Sequence, residues 1–282
     1  MSRIIRSVLA VTAAVVILAA LVTPDADASR SRPKKKKGPY QVSARSAVLL
    51  SGDRLRSIYD KDASRKVLPA STTKVMTALI ALETLQLDDY VTISARVTAT
   101  LPSKVDIKAG ERYRVRDLLY AALLNSANDA SIALAEASAG SEEAFVARMN
   151  RRARQIGAHN TLFANCHGLP SEDPQYTTAY DMALIFNEAM RKPFFKEAIQ
   201  NKFWIIQSEA GRKIALRSHN KALFKGWKSP VYGKTGYTNA ARACFVGRVM
   251  KDNQPLIIAV FGCSKRWDDV KYIFKRYGGV DL

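Results

Sequence analysis

One apolar run constrains this chain more than any other feature. Val75-Met76-Thr77-Ala78-Leu79-Ile80-Ala81-Leu82-Glu83-Thr84-Leu85 reads as a buried helix. It is opened by Pro69-Ala70-Ser71-Thr72-Thr73-Lys74. Proline is tolerated there because the first N–H groups of a helix have no intrahelical partners. Ser71 then falls at or just inside the N-terminus, and Lys74, one turn on, shares its face. A serine hydroxyl is a poor nucleophile until a base takes its proton. A lysine in a tight, desolvated site can have its pKa lowered enough to act as that base. A bare Ser-x-x-Lys arises about once by chance in a chain of this length, so its weight depends on what else the chain carries.

The rest of the pattern predicts an α+β fold. Ala44 to Leu50 is strand-like, Ser51-Gly52-Asp53 is a turn, and Leu55 to Tyr59 is the return strand. Helices are expected over Arg114–Asn125, Ala130–Ala137, Glu142–Ile156 and Tyr180–Met190, the last opened by Thr177 or Thr178. Strands are expected over Phe203–Ile206, Lys213–Ser218, Ala243–Met250 and Leu256–Phe261, with Asp252-Asn253 turning the last pair. Trp267 to Tyr277 closes the chain as a helix. Strands thus come first, helices fill the middle, and a meander plus helix ends the chain. The expected architecture is one antiparallel sheet flanked by helices, with the first strands joining the last. The first and last helices pack on that sheet, the middle helices form a helical subdomain, and a cleft lies between the two parts. Residues 40–282 suffice for one such body.

The N-terminus is different in kind. Arg3 and Arg6 precede an apolar run from Val8 to Val22, and Ala26-Asp27-Ala28 follows. A basic n-region, a short apolar h-region and a small-x-small site predict a signal peptide over residues 1–28, cut after Ala28, with an uncleaved anchor as the alternative. Export follows either way. Residues 29–39 read as a disordered basic linker, with Arg30, Arg32 and Lys34 to Lys37 supplying six of the net +19 charges. Export argues against nucleic acid as the partner of this run. An anionic envelope polymer or a membrane surface suits it, as does no partner at all.

Two further motifs carry chemistry. Asn125-Ser126-Ala127-Asn128-Asp129 joins two expected helices, so its side chains sit on a turn. A second serine there can relay a proton between a lysine and a leaving amine, and an asparagine amide can hold both a lysine and a substrate carbonyl. Gly233-Lys234-Thr235-Gly236-Tyr237-Thr238 precedes a strand, and its glycines let backbone approach a ligand closely. Lys234 offers charge to a carboxylate, and the N–H groups of Ser71 and Tyr237 can form an oxyanion hole. Read singly, these stretches are also ordinary linker and turn chemistry. The three histidines, His159, His167 and His219, lack metal-ligand spacing. His167-Gly168 reads as a structural turn. Cys244 and Cys263 fall on neighbouring strands, where two buried free thiols are the preferred reading and a disulfide the alternative. No metal and no cofactor are expected.

The ordered set Ser-x-x-Lys, Ser-x-Asn, Lys-Thr-Gly is the arrangement of penicillin-recognising serine acyl-transferases. The chain resembles the low-molecular-mass D-alanyl-D-alanine carboxypeptidases among the penicillin-binding proteins. Leu68 to Thr77, Ser126 to Ala130, the segment Met149 to Leu169 and Thr177 to Leu184 all look like that family's blocks, and the likeness covers roughly residues 43–278. It implies a β-lactamase/transpeptidase-like fold. It implies Ser71 as acyl-enzyme nucleophile, Lys74 as its general base, and Ser126 and Asn128 as proton network and substrate grip. It implies Lys234, Thr235 and Gly236 as the peptide-binding strand, and Arg266, in a looser match, as an aid to carboxylate binding. The family usually has proline where Cys166 stands and glycine where Arg242 stands. Many relatives also carry a second, β-rich domain and a C-terminal amphipathic helix. Here the chain ends soon after its closing helix, so any attachment is expected to be N-terminal.

The function so implied is removal of the terminal D-alanine from peptidoglycan stem peptides, with β-lactams acylating Ser71 as inhibitors. A D,D-endopeptidase on cross-links uses the same residues and is the alternative. A β-lactamase of the class A type needs a Glu-x-x-Leu-Asn loop, and no such segment lies between Ser126 and Lys234. An inactive envelope-binding protein, working through its basic tail, is the reading from a different class.

Overall fold

A computed structural model describes residues 39–52 and 55–282. The signal-peptide expectation and nearly all of the basic linker lie outside the described residues, as does Asp53 of the first turn. In chain order the elements are β1 (Ser46–Ser51), β2 (Arg56–Lys61), α1 (Lys74–Thr84), β3 (Tyr90–Thr92), α2 (Ala95–Thr98), β4 (Arg112–Arg114), α3 (Val115–Leu124), α4 (Asn128–Ala139), α5 (Glu142–Ile156), α6 (Ala179–Ala189) and α7 (Pro193–Ala198). Then follow β5 (Phe203–Gln207), β6 (Lys213–Arg217), β7 (Tyr232–Thr238), β8 (Arg242–Lys251), β9 (Gln254–Cys263) and α8 (Arg266–Arg276).

Five strands form one antiparallel sheet in the order β2-β1-β9-β8-β7, so the first strands do join the last. Side chains alternate faces along a strand. Ala47 and Leu49 of β1 therefore enter a core with Phe245, Ile258 and Val260 beneath Val270, Ile273 and Phe274 of α8. Val48 and Leu50 enter the larger core with Val246, Ala259 and Phe261 and the helices. Burial on both faces explains why β1 reads as a continuous apolar run instead of an alternating one. Between β8 and β9, Asp252 and Asn253 take φ of 48° and 60°. These left-handed values match the right-handed twist of a two-residue hairpin. The start of the body is tied to its end by Asp269, a buried carboxylate that accepts from Tyr40 Oη (2.7 Å), Ser43 N (2.8 Å) and Ser43 Oγ (2.6 Å).

The helices expected in mid-chain are present, and Thr178 caps α6 by accepting from Asp181 N. Three points differ from expectation. First, α6, not α1, is the helix laid on β1, β8 and β9, while α1 is surrounded by α3, α4, α5 and α6. Lys74 to Ala81 are all buried, which suits a helix wrapped by helices and not one with a single covered stripe. Second, β5 and β6 leave the meander and pair only with each other, docked by Trp204 stacking on Tyr120 of α3 at 4.0 Å. Third, β3, β4, α2 and α7 are present without a sequence signal, because elements of three to six residues hold too little sequence for a period to show. All three cysteines are buried and free, as preferred for Cys244 and Cys263. Among the described residues no helix is long and apolar enough to cross a membrane, and no group of His, Cys, Asp or Glu is placed to hold a metal.

Candidate active site

Pro69 leads into a 3-10 turn, Ala70–Thr73, that sets Ser71 at the mouth of α1. Thr72 ties the turn by donating from Oγ1 to Pro69 O at 2.6 Å. Lys74, the first residue of α1, is wholly buried, and its Nζ donates to Ser71 Oγ (3.2 Å), Asn128 Oδ1 (2.7 Å) and His167 O (2.8 Å). Three acceptors satisfy an ammonium, but none is an anion. Burial therefore dominates and pushes Lys74 down to about 7. At neutral pH a large share of Lys74 is an amine with a free lone pair, facing a serine hydroxyl.

Ser126 follows the end of α3 with φ of 61°, and Asn128 opens α4. That left-handed step turns Ser126 Oγ toward Lys234 Nζ, which donates to it at 2.9 Å and to Thr235 O at 3.1 Å. Asn128 Nδ2 donates to Leu101 O (2.8 Å) and its backbone N to Ser103 O (2.7 Å), so the helix start also holds the loop that roofs the cleft. Asp129 reinforces this loop by accepting from the N–H groups of Val105 and Ile107. Lys234 is fully buried, and burial, then the positive charge of Lys74, drives its pKa well down.

β7 is the edge strand on the cleft side. An edge offers unpaired N–H and C=O groups to an extended peptide. It comes close to the Ser71 turn because Gly236 has no side chain: a Cβ there would stand 3.0 Å from Ser71 N and 3.1 Å from Ala70 Cβ. Arg266, at the start of α8, donates from one guanidinium nitrogen to Gly236 O (3.1 Å) and Cys244 O (2.9 Å), with Trp267 beneath it at 4.7 Å. It thereby braces β7 against β8. Ser71, Ser126, Asn128, Thr235, Gly236, Tyr237 and Arg266 line one cleft of about 280 Å³, with Lys74 and Lys234 just beneath. All nine residues singled out in the sequence converge here.

Three contributors were not read as site residues. His167 gives Lys74 a backbone acceptor, so His167-Gly168 is part of the site's wall as well as a turn. Gly168, at φ of 84°, presses on the Ser71 turn so closely that a Cβ would overlap Ala70 O. His219 lines the cleft and is pushed down to about 4, first by burial and then by Lys234 and Lys74. The signal available for the first two was a glycine following a polar cluster, Asn165-Cys166-His167.

The family model described as D-alanyl-D-alanine carboxypeptidase matches residues 32–265. The chain is similar to the D-alanyl-D-alanine carboxypeptidase DacF of Bacillus subtilis, 32% identical over 246 residues that make up 82% of this chain and 60% of the relative. It is likewise similar to DacB2 of Mycobacterium tuberculosis, at 34% identity over 73% of this chain and 72% of that one. The crystal structure of a D-alanyl-D-alanine carboxypeptidase from Mycobacterium tuberculosis superposes with a TM-score of 0.80 at 30% identity, covering 88% of this chain and 96% of that one. A match over most of the body, joined to a Ser-Lys pair, a Ser-x-Asn turn and a Lys-Thr-Gly edge strand around one cleft, places the chain in the D-alanyl-D-alanine carboxypeptidase family.

Proposed function

We propose that this chain is a serine-type D-Ala-D-Ala carboxypeptidase, acting on peptidoglycan stem peptides outside the cytoplasmic membrane and acylated by β-lactams. The observation that carries the reading is Ser71 Oγ at 3.2 Å from the Nζ of a buried lysine whose pKa is lowered to about 7. The stem peptide lies along β7 with its terminal carboxylate toward Lys234 and Thr235, and Arg266 holds that strand in place. Lys74 takes the Ser71 proton as Oγ attacks the carbonyl of the penultimate D-alanine. A general base so placed contributes on the order of 10²–10⁴ in rate. The Ser71 and Tyr237 N–H groups receive the developing oxyanion, each such donor being worth roughly 3 kcal/mol. The proton reaches the leaving amine through Ser126, whose hydroxyl Lys234 orients. Water then hydrolyses the Ser71 ester. The basic linker keeps the body near an anionic polymer or membrane surface.

The test is mass spectrometry of the purified body after incubation with benzylpenicillin, with Ser71→Ala as control. A long-lived adduct on the wild type, absent from the variant, supports the reading. An adduct lost within seconds indicates a β-lactamase. No adduct with intact penicillin refutes acyl transfer.

A further inference from the structure

Two glutamates open α5, and they face different ways. The Glu143 side chain is 72% exposed and meets Arg96 on the surface, whereas the Glu142 side chain is 13% exposed. Glu142 Oε1 accepts from Cys166 N at 3.1 Å and stands 3.7 Å from His167 Nε2, while Oε2 takes one bond from Arg96 at 3.3 Å. An acid in the first turn complements the positive end of a helix dipole. The dipole does not explain why this one reaches beyond its helix to the backbone of another segment. That segment is the wall of the catalytic cleft. His167 O accepts from Lys74 Nζ at 2.8 Å, and a Cβ on Gly168 would overlap Ala70 O of the Ser71 turn. Asn165 Oδ1 ties the bend by accepting from Gly168 N at 2.6 Å and His167 N at 3.3 Å. Cys166 O accepts from Thr77 Oγ1 of α1 at 2.5 Å. Among the described residues, the other side chains bonded to residues 165–169 come from α1, as Thr77 does, or from the same loop, as Asn165 and Gln175 do. Glu142 is the tie to a third element.

The His167 ring shows which property of Glu142 is used. Its Nδ1 accepts from Leu169 N at 3.2 Å, so the proton of the neutral ring sits on Nε2, toward Glu142. Burial, then the charge of Lys74, pushes His167 down to about 4, so the ring is neutral at pH 7. Burial and then the Glu142 carboxylate push the Cys166 thiol well up, so no thiolate stands beside Lys74. Glu142 therefore has no ionic partner in the wall, and what it supplies there is an acceptor for Cys166 N. We infer that Glu142 is a positioning residue for the general base. By holding Cys166 N it keeps the His167 carbonyl on Lys74 and Gly168 against the Ser71 turn, and it acts through its reach as an acceptor, not through its charge. This role presupposes the acyl-transfer reading, in which Lys74 takes the Ser71 proton. With the tie to α5 cut, the carbonyl drifts from Nζ and the Ser71 turn loses its backstop. A misplacement of about 1 Å in such a group can cost on the order of 10² in rate.

The experiment follows the benzylpenicillin adduct over time by mass spectrometry and reads two quantities, the rate constant and the final adduct per chain. Poor folding lowers the final amount. A misplaced base lowers the rate while every chain is labelled in the end. Glu142→Gln keeps an acceptor oxygen at the same reach and loses the charge. Glu142→Asp keeps the charge and is one CH₂ shorter, and Glu142→Ala loses both. The Gln variant should stay within about threefold of the wild-type rate, since its amide oxygen still accepts. The Asp and Ala variants should be acylated roughly tenfold to a hundredfold more slowly, at full final labelling. Arg96→Ala, which removes a surface partner of Glu142, should leave the rate within about twofold. The comparison of Gln with Asp decides the matter even where the Ala variant does not fold. An Asp variant as fast as the wild type overturns the assignment, as does a Gln variant as slow as the Asp variant. A loss confined to the final amount, or an equal loss of rate in Arg96→Ala, overturns it too. A wild type that benzylpenicillin does not label overturns the acyl-transfer reading along with it.

Discussion

The rate of Ser71 acylation should follow the ionisation of Lys74, and the structure sets where that limb falls. A general base works only when unprotonated. With Lys74 held at about 7 by burial, the amine fraction is ~90% at pH 8, ~10% at pH 6 and ~1% at pH 5, so the second-order acylation constant should drop ~90-fold from pH 8 to pH 5. A lysine at its ordinary value near 10.5 would instead give a rate still climbing about tenfold per pH unit at pH 9. The two histidines near the site do not mimic this limb. Burial lowers both His167 and His219 to about 4, so they stay neutral throughout this range. The assay is labelling by a fluorescent penicillin at fixed times across pH 5–9, with protein integrity checked by circular dichroism at each pH. Lys74→Arg supplies the control, since a guanidinium cannot deprotonate and should lose on the order of 10²–10⁴ in rate at every pH. A flat profile, or a limb centred above pH 9, would refute Lys74 as the base.

The same lowered pKa is also a statement about stability. Below pH 7 the folded state must bury a charged lysine, while the unfolded chain holds it in water. Between about 7 and 10.5 the unfolded chain binds more protons, so stability rises with pH through that window. The gap corresponds to on the order of 5 kcal/mol at most. Lys234, shifted in the same direction, adds to the slope. Lys74→Met should reduce the rise in denaturation midpoint from pH 7 to 10, though not abolish it.

Two substitutions probe the backbone around the site. Arg242 sits at φ of 60°, a region where a side chain costs about 1 kcal/mol, so Arg242→Gly should stabilise the fold by roughly 0.5–1 kcal/mol and raise the melting temperature by about 1–3 °C; a fall in melting temperature would count against strain there. Gly168→Ala should suppress penicillin acylation more than tenfold even where the variant folds, because its Cβ would overlap Ala70 O and push the Ser71 turn off Lys74; unchanged acylation would show that the turn can yield.

What the sequence disclosed and what it withheld follow from the range of the forces involved. Ser71 and Lys74 are one turn apart, so a local pattern was enough to pair them. The meeting of Lys74 with Asn128, 54 residues away, and of Ser126 with Lys234, 108 away, has no local trace. It became legible only through the order of three motifs and the likeness to a family. The hairpin at Asp252-Asn253 was read because its left-handed φ values demand such residues. The detachment of β5 and β6 from the main sheet was not read, since the stacking of Trp204 on Tyr120 that decides it is tertiary. His167 escaped because its contribution is a backbone carbonyl, which every residue type possesses. No choice of side chain could announce it.

The placement of strain shows how the site was built. Ala70 and Ser126 both occupy left-handed backbone, at φ of 47° and 61°, and neither is glycine. Such positions cost on the order of 1 kcal/mol each and persist only where the surroundings over-determine them. Those surroundings are visible: Ala127 N donates to Ala121 O at 3.1 Å and Asn128 N to Ser103 O at 2.7 Å on one side, and Thr72 N to Pro69 O at 3.3 Å on the other. Where a Cβ would have no room, the chain uses glycine, at Gly168 and Gly236. At 126 it needs a hydroxyl aimed at Lys234, and glycine has none to give. Under the proposed proton relay the strained serine is a requirement of the chemistry imposed on the backbone, and residue 126 looks like an ordinary linker serine in sequence, becoming distinctive only when its φ and its partner are seen together.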